Sequence, residues 1–165
     1  MKILYLGAFR LPNFDAAAPR VLNIARTLRG AGHEVSFISW GGKQRDEDRC
    51  DDGVWRVDGF PYTVTNELPQ PGLSAIGRLR NKFQRGNKTK CLLSKWPEPI
   101  DVIITYNNSI CRWLIPFSKK HGIKLINDIT EWYARNELNP LEWISYAYDM
   151  HCIQKKVKNK IVNSS

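Results

Sequence analysis

Short apolar runs alternate with amphipathic segments along this chain, and the first 41 residues show the pattern most clearly. The apolar run at residues 3–6 meets Gly7 at once, which is typical of a buried parallel strand that ends in a turn. Apolar residues then recur at helical spacing over residues 18–28, and a second apolar run begins at Val35. The order strand, loop, helix, strand predicts a right-handed βαβ unit and therefore a parallel sheet.

Later apolar runs extend this pattern. They predict four further strands, which cover residues 54–65, 101–107, 123–129 and 160–165. Gly59 and Pro61 place the first of these strands at an edge or a bulge. Pro116 must kink or divide the helix that precedes the strand at residues 123–129, and Asn139 caps a helix that reaches about Lys156. We therefore predict an α/β fold, with a doubly wound, Rossmann-like parallel sheet in three α/β/α layers.

The composition is that of one folded domain. The chain has 165 residues, of which 42% are hydrophobic, so it is large and apolar enough to bury a core. No apolar run approaches the ~20 residues that a membrane span needs. The amino-terminal run is brief and no small-residue cleavage site follows it, so it does not indicate a signal peptide. We expect a cytoplasmic location.

The cysteines give no indication of a metal site. The four cysteines lie far apart and form no CxxC pair, which argues against zinc and, in a cytosolic chain, against disulfides. We expect neither a metal ion nor a cofactor.

The formal net charge of +9 indicates an anionic partner or surface, although it also serves solubility. Much of this charge lies in residues 73–96, where apolar residues could share one helical face. We predict that an anionic membrane contacts the residues Arg78, Arg80, Lys82, Arg85 and Trp96. The alternative is an ordinary surface helix whose apolar stripe packs on the sheet.

Polar residues collect where the predicted strands end, which is where parallel sheets bind their ligands. Gly7, Arg10 and Asn13 follow the first strand, and Arg20 lies in the opening turn of the next helix. Because a helix amino terminus attracts anions, phosphate is the natural ligand of this loop. For Arg20, a solvated surface arginine is the alternative.

The fifth strand is followed by a second group of candidates. Two carboxylates and an aromatic ring, at Asp128, Glu131 and Trp132, could hold sugar hydroxyls or take a proton from one. A capping or salt-bridged pair at a turn is the alternative, and it is stronger for Glu131 than for Asp128. Asn107 and Asn108 occupy the corresponding place after the fourth strand.

Several common motifs are missing. The first loop has only Gly7 where a dinucleotide fingerprint requires G-x-G-x-x-G, and the sequence has no GKS or GKT for a P-loop. It also has no nucleophile elbow and no HExxH.

Four segments resemble, in the same order, the amino-terminal domain of GT-B glycosyltransferases of family four. They are GAF…AAAPRVLNIARTLRGAGHEVSFIS, DVIITYNN, HGIKLINDITEWY and QKKVKNKIVNSS, and together they cover nearly the whole chain. The resemblance implies one half of a two-domain enzyme with a cleft between Rossmann-like domains. In that family the amino-terminal half mostly binds the acceptor and the carboxyl-terminal half binds the nucleotide sugar. Transfer is typically retaining and independent of metal.

The family also implies roles for the candidate residues. The loop with Gly7, Arg10 and Arg20 would face the donor diphosphate, and Asp128 and Glu131 would act at the acceptor as catalytic residues. The acceptor contacts would be Asn13, Asn107, Asn108 and Trp132. The first loop lacks the second glycine that is common in the family.

The resemblance accounts for the first domain only. Residues 1–165 stop after the start of the sixth strand and include no donor domain, so we expect a truncated domain that is inactive alone. Its partner would be the rest of a longer protein or a separate donor-domain chain.

The predicted function is therefore the acceptor-binding half of a retaining glycosyltransferase that uses a nucleotide sugar. The acceptor would be a glycan or lipid-linked molecule of the cell envelope, which places the chain on the inner face of the membrane. Two alternatives stay open: a stand-alone Rossmann-like module that binds a phosphorylated ligand, and a polyanion-binding domain that uses residues 78–95 and 155–160. The aromatic residues there form no stacking platform on strands, so we do not expect nucleic acid.

Overall fold

The computed structural model describes residues 1–68, 72, 74–106, 111–130, 133–138, 140–157 and 159–162. The strands are β1 Lys2–Leu11, β2 Glu34–Gly42, β3 Arg56–Val57, β4 Phe60–Val64, β5 Val102–Tyr106, β6 Lys124–Ile129 and β7 Asn159–Val162. The helices are α1 Ala17–Gly30, α2 Ala75–Gln84, α3 Asn87–Ser94, α4 Cys111–His121 and α5 Pro140–Lys156, and short 3₁₀ turns cover Asp46–Asp48 and Arg135–Glu137.

All seven described strands belong to one sheet, in the order β3-β4-β2-β1-β5-β6-β7. Every neighbouring pair from β4 to β7 is parallel, and only β3 runs antiparallel to its neighbour. α-Helices form the crossovers between the parallel strands, as the sequence pattern predicts, except between β2 and β4, where residues 43–59 contain a 3₁₀ turn and β3. The predicted doubly wound, Rossmann-like α/β fold is confirmed.

Helices cover both faces of the sheet because successive residues of each strand face opposite sides. In β1, Leu4 and Leu6 pack with apolar side chains from α3, α4 and α5 on one face. Ile3 and Tyr5 pack with side chains from α1 on the other face. The alternation gives two apolar cores, and the sheet lies between them as the middle of three layers.

The first strand continues to Leu11, so Gly7 lies inside a strand and the prediction of a turn at this residue is wrong. Its backbone φ is +144°, and a Cβ atom there would lie 2.3 Å from the carbonyl oxygen of Tyr106 on β5. Glycine is required here because the neighbouring backbone comes too close for any side chain. The connection from β1 to α1 therefore covers residues 12–16 only.

Residues 54–65 form a hairpin and not the single strand that the sequence predicts. β3 and β4 are joined by Asp58 and Gly59, whose φ values of +52° and +77° are typical of a two-residue hairpin turn. The expected edge position is correct, because β3 is the outermost strand on its side. The helix that contains Pro116 is not divided, since α4 runs continuously through this residue.

Residues 73–96 contain two helices, α2 and α3. They are separated at Gly86, whose φ is +90°. None of the described helices is long and apolar enough to span a membrane.

Candidate functional site

The carboxyl ends of the parallel strands lie at one edge of the sheet, and four of the predicted site residues lie along that edge. Arg10 is near the end of β1, Asn13 is in the connection that follows, and Arg20 is in the first turn of α1. Asp128 is the penultimate residue of β6, which ends at Ile129. The structure therefore brings these four residues to the same edge.

Asp128 is the buried charge of this edge. Its side chain has no exposed surface, and its Oδ1 accepts a hydrogen bond from Nη2 of Arg20 at 2.6 Å. Its Oδ2 accepts a short hydrogen bond from the hydroxyl of Tyr5. The Arg20 side chain is 26% exposed, so the guanidinium links a buried carboxylate to the surface. We call Tyr5, Arg20 and Asp128 the edge network.

The strand register explains why these side chains meet. Tyr5 is paired with Ile104 on β5, and Asp128 is paired with Tyr106 on the same strand. Tyr5 and Asp128 therefore point to the same face from strands that are two positions apart, which is about 10 Å at ordinary strand spacing. A tyrosine side chain extends over most of that distance, and α1 covers this face and supplies Arg20.

The electrostatics keep the hydroxyl of Tyr5 protonated. Burial raises the pKa of the Tyr5 hydroxyl, and the negative charge of Asp128 raises it further. Tyr5 is therefore a neutral donor at every physiological pH. The two carboxylate oxygens each accept a hydrogen bond from within the protein, so the charge of Asp128 is stabilised where it is buried.

This arrangement assigns different parts to the two charged residues. Asp128 is enclosed and holds the guanidinium of Arg20 in place, whereas the Arg20 side chain is partly exposed. The Nε atom of Arg20 is buried and has no hydrogen-bond partner in the described part of the chain. A catalytic role for Asp128 stays a prediction, and its burial makes Arg20 the member of the pair that can contact a ligand.

The loop before α1 is less suited to a phosphate than the sequence suggests. Asp15 Oδ1 accepts a hydrogen bond from the Ala18 amide at 3.0 Å, so this carboxylate already caps the helix. The other oxygen of Asp15 lies 3.9 Å from Nη1 of Arg10, whose side chain is 45% exposed. Asn13 is exposed beside them. An incoming anion would have to compete with the charge of Asp15 at this helix end.

Four of the predicted site residues lie outside the described residues: Asn107, Asn108, Glu131 and Trp132. Their predicted roles stay predictions. Gly7 is described, and its position inside β1 gives it a purely structural reason to be glycine.

Of the residues predicted to face a membrane, the three whose side chains are described do not share one outward surface. Arg80 is exposed, but Arg85 is half-buried, and Trp96 packs against the apolar core that contains Leu4 and Leu6. The side chains of Arg78 and Lys82 lie outside the described residues. Membrane contact stays a prediction.

Sequence reasoning missed three polar residues that organise this edge. Tyr5 was classed with the apolar run of its strand, and Ser39 and Glu67 received no role. The Ser39 hydroxyl lies within 2.7 Å of the carbonyl oxygens of Phe9 and Gly41 and accepts from the Leu11 amide at 3.1 Å. A serine inside a buried strand, and a lone glutamate just after one, are the signals that could have found them.

Glu67 is 4% exposed and fixes the start of α3. Its Oε1 accepts from the Lys88 amide at 2.9 Å, and its Oε2 accepts from the Thr89 amide at 3.2 Å and from the Thr65 hydroxyl at 2.9 Å. The Thr89 hydroxyl donates a further short bond to Oε2 and accepts one from Trp40 Nε1 at 3.0 Å. A buried carboxylate thus receives four donors at a helix amino terminus.

The described residues include no group of three or more histidine, cysteine, aspartate or glutamate side chains that could hold a metal ion. Cys50 and Cys91 are free, exposed thiols.

Comparisons with known proteins point to the fold. No protein-family model matches the sequence, and no curated protein matches it. Among solved structures, the chain is similar to the catalytic domain of starch synthase IV from Arabidopsis thaliana bound to ADP and acarbose, a GT-B glycosyltransferase. The sequences are 17% identical, the TM-score is 0.50, and the match covers 76% of this chain. This chain spans about a third of that structure, since the match covers 33% of it.

Proposed function

We propose that this chain is the acceptor-binding half of a glycosyltransferase with GT-B architecture, similar to family four. In this proposal the complete enzyme moves a sugar from a nucleotide sugar to a glycan or lipid-linked acceptor. The transferred sugar retains its anomeric configuration. The single observation that supports it best is the edge network, in which Asp128 and Tyr5 hold Arg20 at the ligand-binding edge of the sheet. The fold is shared with a starch synthase whose solved structure is bound to ADP and acarbose.

The proposed work of Arg20 is orientation. Its guanidinium is held at one end by a buried carboxylate, so the donor group occupies a fixed position before any ligand arrives. Fixed donors bind a sugar hydroxyl or an anionic group at little further entropic cost, and they stabilise negative charge that develops during transfer. Asp128 acts through Arg20 in this proposal and is a positioning residue.

Sugar transfer also needs a nucleotide-sugar site. The leaving diphosphate must be neutralised and both substrates must be oriented, and the edge network can serve only one side of such a cleft. We propose that a second Rossmann-like domain supplies the donor site, either in the rest of a longer protein or in a separate chain. The 165-residue chain alone should then bind the acceptor without efficient sugar transfer.

The test separates binding from turnover. Saturation-transfer NMR with a panel of neutral and lipid-linked oligosaccharides should detect binding by the wild-type chain, and Arg20→Gln should weaken it at least tenfold. Arg26→Gln is the matched control, because Arg26 is on the same helix and forms an exposed ion pair with Asp58. Absence of glycan binding, or equal binding by Arg20→Gln, would overturn the proposed acceptor site.

The same preparation tests the need for a second domain. Incubation with labelled nucleotide sugars and any acceptor found in the panel should give no transfer above background. Robust transfer by the chain alone would contradict the proposal that a second domain supplies the donor site, while leaving the acceptor site intact.

A further inference from the structure

A second cleft lies at the same edge of the sheet, between the end of β4 and the helices α2 and α3. Its volume is about 360 Å³, and its walls carry several side-chain amides together with Glu67, Arg85 and Lys88. β4 is separated from β6 by three strands, which places the end of β4 about 20 Å from the strand that carries Asp128. We call it the β4 cleft.

The carboxylate in the β4 cleft is not free to bind a ligand. Both oxygens of Glu67 already accept hydrogen bonds, from two backbone amides and two threonine hydroxyls. Glu67 therefore acts as a fixed, internally satisfied charge that sets the position of α3. A metal cation or a cationic ligand would have to displace these bonds, so the carboxylate does not define the ligand.

Two other side chains of the β4 cleft have buried polar atoms without a hydrogen-bond partner. Arg85 makes no hydrogen bond through its Nε, which is buried, and Asn81 has a buried side-chain oxygen in the same condition among the described residues. Burial lowers the pKa of Arg85, and the charge of Glu67 offsets only part of that effect. A half-buried guanidinium of this kind gains from an anionic partner, because buried polar groups are normally hydrogen-bonded.

We propose that the β4 cleft binds a phosphoryl group that carries a hydroxylated moiety, as in a sugar phosphate or a phosphorylated polyol. Arg85 and Lys88 outnumber the single negative charge of Glu67, so the cleft attracts an anion. A planar guanidinium matches two phosphate oxygens, and Lys88 adds a point charge from the exposed rim. The side-chain oxygen of Asn81 accepts a hydrogen bond from a ligand hydroxyl.

This site is independent of the proposed acceptor site, because it uses none of the residues of the edge network. The phosphoryl group belongs either to a small soluble molecule or to a lipid headgroup. Both sources present the same chemistry to Arg85 and Lys88, and the experiment distinguishes them.

The test uses the 165-residue chain in two arms. Calorimetry measures binding of inorganic phosphate and of glucose 6-phosphate, and flotation measures binding to vesicles of phosphatidylcholine with or without phosphatidylinositol phosphate. Arg85→Gln should weaken binding at least tenfold for whichever of these ligands the wild-type chain binds. Arg26→Gln is the control, since Arg26 is an exposed arginine on α1, away from the cleft, and it should change binding less than twofold.

Each outcome decides the proposal. If Arg85→Gln loses binding of the soluble phosphates and the control variant keeps it, the result supports a small ligand. If Arg85→Gln loses vesicle binding and the control variant keeps it, the result supports a lipid headgroup. Equal losses in both variants indicate a diffuse charge effect and overturn the site, as does no binding in either arm. If Arg85→Gln does not fold, Lys88→Gln applies the same criterion, because the Lys88 amide that contacts Glu67 is retained.

Discussion

The guanidinium of Arg20 lies 2.6 Å from the carboxylate of Asp128, although the two residues are 108 positions apart in the chain. Asp128 is wholly buried, whereas 26% of the Arg20 side chain is exposed. The two charges therefore do not depend on each other equally. An arginine without its partner can regain water, but a buried carboxylate cannot.

This asymmetry predicts unequal losses of stability. Arg20→Gln should lower the free energy of unfolding by about 3 kcal/mol, because it leaves a buried charge with Tyr5 as its remaining donor. Asp128→Asn should cost about 1 kcal/mol, because an amide oxygen still accepts from Tyr5 and the freed guanidinium is hydrated. Urea denaturation measures both, and a double-mutant cycle measures the coupling.

The exposed pair of Arg26 and Asp58 provides the control for this cycle. Arg26→Gln should change stability by less than about 0.5 kcal/mol, since exposed ion pairs contribute little. Equal costs for Arg20→Gln and Asp128→Asn would show that the carboxylate is better hydrated than its burial indicates.

The close approach of β5 to Gly7 predicts that this glycine cannot be replaced. Gly7→Ala puts a methyl group 2.3 Å from a carbonyl oxygen at a φ of +144°, so it should destabilise the chain by about 3 kcal/mol or prevent folding. Thermal denaturation followed by circular dichroism is the measurement.

A second glycine offers the matched control. Gly30 ends α1 with no atom within 4 Å of an added Cβ, so Gly30→Ala should be neutral or stabilise by up to about 1 kcal/mol. The account of Gly7 fails if the two alanine variants have the same stability.

Replacement of the buried Glu67 should lower the stability of the whole chain and also loosen the start of α3. Glu67→Ala leaves two backbone amides and two threonine hydroxyls without their acceptor, and we expect a loss of about 3 kcal/mol. The amides of Lys88 and Thr89 should also exchange hydrogen much faster, because the first turn of α3 loses its cap. Exchange measured by NMR or mass spectrometry reports this directly.

Glu98→Ala serves as the comparison, since Glu98 is 58% exposed and its ion pair with Lys2 lies at the surface. It should cost less than about 0.5 kcal/mol and leave exchange in α3 unchanged. Unchanged exchange at Lys88 and Thr89 in the Glu67 variant would remove the proposed role of the cap.

Ionisation of Tyr62 should make the free energy of unfolding depend on pH under alkaline conditions. Burial and a 2.8 Å hydrogen bond to Asp48 raise the pKa of Tyr62 to about 12, above its value of about 10 in an unfolded chain. A group whose pKa rises on folding contributes fully below its unfolded pKa, and that contribution is lost as the pH rises through the folded value.

Stability should therefore fall more steeply between pH 10 and pH 12 in the wild type than in Tyr62→Phe. Unfolding by urea at a series of pH values measures the two slopes, and all other titrating groups cancel in the difference. Parallel curves would mean that Tyr62 ionises at the same pH in the folded and unfolded chains.

The local patterns of the sequence were sufficient for most of the fold. Apolar spacing of two or of 3.6 residues is a property of neighbouring positions, so the parallel strands and the helices could be predicted without any tertiary contact. The same is true of the edge position of residues 54–65, which Gly59 and Pro61 signal. Gly7 was misread because a turn and a close approach of backbones both require glycine, and only the adjacent β5 distinguishes them.

The sequence by itself determined most of the strands and helices and which face of each is apolar. Only the tertiary structure decided that Tyr5, Arg20 and Asp128 meet, and that Glu67 caps a helix that begins 20 residues later. The physical reason is that periodicity encodes burial along one element, whereas strand order and register select the partners of buried polar groups. Those partners come from distant parts of the chain, and each buried charge is stable only because they are present.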